Sequence, residues 1–212
     1  MVTADYERVA GLSHERIAAL SDGIFAVAMT LLVLGVALPA ASEVKAGDEG
    51  ALLKALIALS PRLVAYVLSF MTLGIFWVGQ QAQLTHLQRS NRRFTWIHLG
   101  FLFGITLVPL STGLLAQFIG FRVAVVIYWF NLLICGMALL ASVEYIRHAK
   151  LAREEGESQI LAANRRRILA FQALYAVSAA LCVISPYLSI ALIFSAQVLA
   201  VISPRIRGLP RV

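Results

Sequence analysis

Six stretches of this 212-residue chain are continuous apolar runs of the length a helix needs to cross a bilayer. A hydrocarbon core about 30 Å thick takes about 20 helical residues, each rising about 1.5 Å. The runs are Ile17–Leu38, Leu63–Gln83, Thr95–Phe118, Val123–Val143, Ile168–Ser185 and Tyr187–Ser203. Backbone N–H and C=O groups inside lipid have no water to bond, so each run must close its own hydrogen bonds as a helix. The runs do not alternate between apolar and polar residues, which excludes an outer-membrane barrel. The expected fold is all-α, a single six-helix transmembrane domain over residues 1–212. Composition agrees: 60% of residues are hydrophobic and only 14% charged, against about 25% charged in a soluble domain. A globular soluble enzyme of this size could not bury so much apolar surface. The partner that covers it is a lipid bilayer.

Punctuation between the runs refines this picture. Ala51–Leu59 is apolar but carries Lys54, and Pro61 follows where a helix would begin. This reads as a short helix at the membrane surface leading into the second span. Ser185-Pro186 leaves almost no loop between the last two spans, so they form a tight hairpin. Cys135 and Cys182 both fall inside spans, where they read as packing residues.

Lys and Arg asymmetry sets the expected orientation. One side would hold fourteen: Arg8, Arg16, Arg89, Arg92, Arg93, Arg147, Lys150, Arg153, Arg165, Arg166, Arg167, Arg205, Arg207 and Arg211. The other would hold only four, Lys45, Lys54, Arg62 and Arg122. Both termini are therefore expected to be cytoplasmic. The net charge of +7 is accounted for by residues flanking spans, so nucleic acid is not an expected partner. The acids Asp5 and Glu7, and the length of the first run, argue against a cleaved signal peptide.

Ionisable residues inside a span are candidates for function. Asp22 is the only carboxylate well inside one, and His98 the only histidine. Asp22 lies six residues past Arg16, His98 five past Arg93, and Gln80 nine before Arg89. All three therefore fall in the cytoplasmic third of the membrane. A carboxylate there needs donors, and His98, Gln80 and the Trp77 indole are candidates. Such a group could serve as a gate or proton relay, or simply as a knot clamping span one to spans two and three. Enzyme signatures are missing: there is no HExxH, no GxSxG and no Walker A sequence, and nothing calls for a metal or cofactor. On span one, Gly23, Val27, Thr30, Leu34 and Leu38 share one helical stripe with Leu31 beside it. A single hydroxyl among apolar side chains could mark a pathway, or Thr30 could bond its own backbone in an ordinary packed helix.

The run Arg16-x-x-x-Leu20-Ser21-Asp22-Gly23-Ile24-Phe25-Ala26, followed by Thr30-Leu31-Leu32-Val33-Leu34, resembles a family signature. It looks like the bacterial relatives of the lysosomal potassium channel transmembrane protein one-seven-five, whose first span carries Arg-x-x-x-Phe-Ser-Asp. Here Leu20 replaces the Phe. Phe76-Trp77 at the end of span two also matches, and Leu107-Val108-Pro109-Leu110 resembles the family's Leu-Pro-Phe element. Gln80 stands where members often have His, and His98 where they often have Asn. The resemblance covers about residues 12–118.

The resemblance implies a potassium-permeable, potassium-selective channel in the cytoplasmic membrane of a bacterium. It would be a homotetramer with span one of each subunit lining the pore, and with no carbonyl filter loop. The hydrophobic constriction would fall on Val27, with further rings at Leu31 and Leu34, and a selectivity ring on Thr30. Arg16, Ser21, Asp22, Trp77, Gln80 and His98 would form the network behind the pore. Glu43, Asp48 and Glu49 would add charge at a mouth. Two other classes stay open: a proton-coupled secondary transporter using Asp22 and His98, and a non-transporting membrane scaffold.

Overall fold

The computed structural model describes residues 14–40, 47–88, 90–151 and 157–202. Among them every regular element is helical: α1 His14–Leu34, α2 Glu49–Ala58, α3 Ser60–Thr85, α4 Arg92–Thr106, α5 Val108–Gln117, α6 Arg122–His148, α7 Glu157–Ala180 and α8 Pro186–Ile202. Among the described residues, five spans are long and apolar enough to cross a membrane; α4 and α5 together form one of them, Arg92–Gln117. The sixth apolar helix, α8, has 17 residues, about 25 Å at the usual helical rise. The six apolar runs are thus all helices, five of full length and one shorter.

Local signals place most boundaries. Asp48 caps α2, its Oδ1 accepting from the Ala51 N–H at 2.8 Å. No residue of α2 is buried. Pro61 sits in the first turn of α3, where its missing N–H costs nothing. Asn91 caps α4 by accepting from the Phe94 N–H at 2.9 Å. A 3₁₀ turn, Leu181–Val183, follows α7, and Pro186 opens α8 directly after it.

Two boundaries differ from expectation. α1 stops at Leu34, not Leu38. The N–H groups of Gly35 and Val36 bond back three residues, to the carbonyls of Leu32 and Val33, and tighten the end of the helix. Pro39 then disfavours helical geometry at Leu38. At the other end of the bundle, Arg165, Arg166 and Arg167 lie within α7, not in a loop. Hydropathy sees only the lipid-facing part of a helix that runs on into water. Arg8, Arg89, Arg153, Arg205, Arg207 and Arg211, with Glu43, Lys45 and Ser203, lie outside the described residues.

The break between α4 and α5 follows from Pro109, which cannot donate to the carbonyl four residues back. Asn131 of α6 bridges the break: its Nδ2 donates to the Gly104 carbonyl at 3.0 Å, and its Oδ1 accepts from Ser111 Oγ at 2.9 Å. A second polar knot ties α3, α5, α6 and α8. Ser69 Oγ donates to the Tyr128 hydroxyl (3.2 Å), Thr112 Oγ1 to Ser69 Oγ (2.6 Å) and Gln197 Nε2 to Thr72 Oγ1 (2.6 Å). Such bonds hold helices together where lipid tails give no hydrophobic drive between them. Cys135 and Cys182 are free and buried.

Gly136 on α6 lies beneath a side chain of α7. The Gln172 amide lies over it and donates to the Leu132 carbonyl at 3.2 Å. A Cβ at Gly136 would overlap that amide, whereas one at Gly100 would meet nothing within 4 Å. Gly136→Ala should therefore displace the Gln172 amide from the Leu132 carbonyl and destabilise the fold by about 0.5–1.5 kcal/mol, the worth of that hydrogen bond. Gly100→Ala should be neutral or slightly stabilising. Thermal unfolding of the two variants in detergent checks this; equal melting would show that the α6–α7 contact yields freely.

Candidate functional site: the first helix and its clamp

α1 has two unlike faces. Ile17, Ser21, Phe25, Ala28 and Leu32 recur every three or four residues and are buried against the bundle. α1 rests on α3, α4 and α5. The other stripe is left uncovered: Val27 is 57% exposed, Leu31 46% and Leu34 75%, and Gly23 and Thr30 are exposed with them. Leu38, just beyond the helix, continues the exposure. An apolar groove of about 400 Å³ runs along this stripe past Leu20, Gly23, Val27 and Leu31 to Thr106 of α4.

The Thr30 hydroxyl donates to the Val27 carbonyl at 2.8 Å. This is the back-bond that an ordinary helical threonine makes. It commits the proton to the helix and leaves the oxygen lone pairs as acceptors on the exposed stripe. A threonine held this way can accept from water or face a cation, but it cannot also donate outward.

Two consecutive residues clamp α1 in opposite directions. Asp22 Oδ1 accepts from Trp77 Nε1 and from Gln81 Nε2, both at 2.8 Å. Trp77 and Gln81 are four apart on α3, so they share a face. Ser21 Oγ donates to the Ile17 carbonyl at 2.8 Å and lies 2.8 Å from His98 Nε2 on α4. A hydroxyl has one proton, so with it on Ile17 the His98 Nε2–H is the donor to Ser21. Phe94 and Phe101 flank the His98 ring at centroid distances of 5.9 and 5.8 Å and fix its plane. Arg16 lies exposed in the first turn of α1.

The donors to Asp22 are thus not the full set expected. Trp77 is one. Gln80 is not: it is fully buried on another face of α3, and neither amide atom has a partner among the described residues. One residue along a helix is a rotation of about 100°, and Gln81 takes the role instead. His98 pairs with Ser21, not with Asp22. The four-residue spacing from Trp77 was the available signal for Gln81.

Fold and site together define a polytopic helical membrane protein in which polar residues position one helix and leave its apolar stripe uncovered. The family model described as "Endosomal/lysosomal potassium channel TMEM175" matches residues 16–109. A potassium channel of Chamaesiphon minutus is 31% identical over 189 residues, covering 84% of this chain and 89% of that protein. A potassium channel of Streptomyces collinus is 36% identical over 128 residues, 58% of this chain and 59% of that protein. The human endosomal/lysosomal proton channel TMEM175 is 34% identical over 112 residues, of which the chain spans only 22% of its length. The crystal structure of a lysosomal potassium-selective channel TMEM175 homolog from Chamaesiphon minutus superposes with a TM-score of 0.75 at 28% identity, covering 87% of this chain and 94% of that one. The chain belongs to the TMEM175 family, a family of ion channels and not of enzymes.

Proposed function

We propose that this chain is a potassium-permeable channel that works as a homotetramer, with α1 of each subunit lining a central pore. The observation that carries this reading is the double character of α1. One face is clamped to its own subunit through Ser21 and Asp22, and the other presents Val27, Thr30, Leu31 and Leu34 to whatever lies outside the subunit. Four copies around an axis turn each exposed residue into a ring. Rings of branched apolar side chains gate by dewetting, and rings of oxygen ligands set ion preference. Val27, Leu31 and Leu34 would be the constrictions, and the Thr30 oxygens would replace part of the potassium hydration shell. Arg16, Ser21, Asp22, Trp77 and His98, with Gln81, would hold the helix at the angle the pore needs. The basic ends of the spans support a cytoplasmic-membrane protein with both termini in the cytoplasm.

A proton-coupled transporter draws less support. Asp22 holds Trp77 and Gln81 while His98 holds Ser21, so the two groups are engaged with separate partners. A scaffold would tolerate any apolar residue along the exposed stripe.

The test is a reversal potential on purified protein in a planar bilayer, with potassium on one side and sodium on the other. Wild type is expected to reverse toward the potassium equilibrium potential. Thr30→Val keeps the shape and removes the oxygen, so its reversal potential should move toward zero with current retained. An unshifted potential would exclude Thr30 from selectivity. Folded wild type with no steady current, but with uptake driven by a pH gradient, would overturn the channel reading.

A further inference from the structure

The end of α1 away from Arg16 carries an electrostatic feature that the pore-lining residues do not explain. α1 has no basic residue in its last turn. Its last carbonyls therefore present the negative end of the helix dipole, equivalent to about half an elementary charge. Three residues beyond Leu34, the Ala37 carbonyl accepts from Arg62 Nη1 at 3.2 Å. Arg62 stands in the first turn of α3 and is partly exposed. Among the described residues it has no carboxylate within ion-pair distance. Its charge is thus fixed beside the end of the exposed stripe, and no described carboxylate is in contact with it.

We infer that Arg62 is a rate-setting residue: its guanidinium, held by the Ala37 carbonyl, places a positive charge per subunit at the mouth formed by the α1 C-terminal ends and slows cation entry. This rests on the reading that α1 lines a pore. Four such charges offset the four helix ends, which would otherwise concentrate cations at the mouth. Arg62 is a positioning and field-setting group that touches no ion, so its signature is salt dependence. Screening lengths are about 30 Å at 0.01 M salt and about 3 Å at 1 M. A charge at the mouth acts across the first distance and not across the second.

The experiment is potassium conductance of the full chain in planar bilayers, with symmetric potassium chloride at these two concentrations. Arg62→Gln removes the charge. Arg62→Lys keeps the charge and loses the forked donor. Ala37→Glu sets a carboxylate on the tether residue itself and provides a second, independent neutralisation should Arg62→Gln fail to assemble. Arg62→Gln and Ala37→Glu should conduct two- to fourfold more than wild type at low salt and equally at high salt, with Arg62→Lys matching wild type at both. A ratio of one at both concentrations overturns the inference. So does an increase that persists at high salt, or one that Arg62→Lys shares, since either would assign the effect to the lost tether. Absence of potassium current in wild type is a separate result, and it would remove the channel reading together with this inference.

Discussion

Asp22→Ala is expected to lower the stability of the folded chain by about 1–3 kcal/mol, the sum of two hydrogen bonds at about 0.5–1.5 kcal/mol each. Trp77 and Gln81 both donate to the same oxygen, so the substitution removes the acceptor of both. It also removes the polar tie of α1 to α3 while leaving the Ser21–His98 contact to α4 and the buried apolar face of α1 in place. Loss of assembled protein on size exclusion, with a lower melting temperature, is the expected readout. Asp22→Asn retains an acceptor oxygen and should lose much less. Trp77→Phe and Gln81→Leu each remove one donor and should each cost less than Asp22→Ala. An Asp22→Ala protein that assembles and melts like wild type would refute the clamp.

Val27→Ala is expected to raise single-channel conductance about tenfold. The side chain is 57% exposed on the stripe assigned to the pore. Substitution removes two carbons per subunit, widening the ring and weakening its dewetting. Lowering the barrier to ion passage by about 1.4 kcal/mol is enough for a tenfold change in rate. The opposite change, Val27→Leu, should reduce conductance. Ala28→Val makes a useful contrast, because Ala28 is buried against the bundle and its enlargement should harm packing instead. Unaltered current in Val27→Ala would move the constriction to Leu31 or Leu34, where the same substitution can be repeated.

The amino-acid sequence by itself determined the class of fold. Continuous apolar runs in lipid have no alternative to helix, because any other backbone leaves its polar groups unbonded. Pro61, Asn91 and Pro186 mark helix starts for equally local reasons: a missing donor or a capping oxygen. Asp22 stood out as a carboxylate inside a span, and helical periodicity grouped Gly23, Val27, Thr30 and Leu34 on one stripe; that this stripe is the uncovered one is a result of the tertiary structure.

Tertiary structure decided which partner each polar group takes. Gln80 and Gln81 are chemically identical neighbours, and only the crossing of α3 over α1 determines which amide reaches Asp22. Whether His98 meets Ser21 or Asp22 depends in the same way on where α4 lies. Arg165 reads as a loop cation in sequence, yet α7 carries it to 2.5 Å from Glu144 of α6. Periodicity fixes the phase of residues within one helix. It holds no information on the rotation of that helix against its neighbours, which side-chain packing sets across the whole bundle.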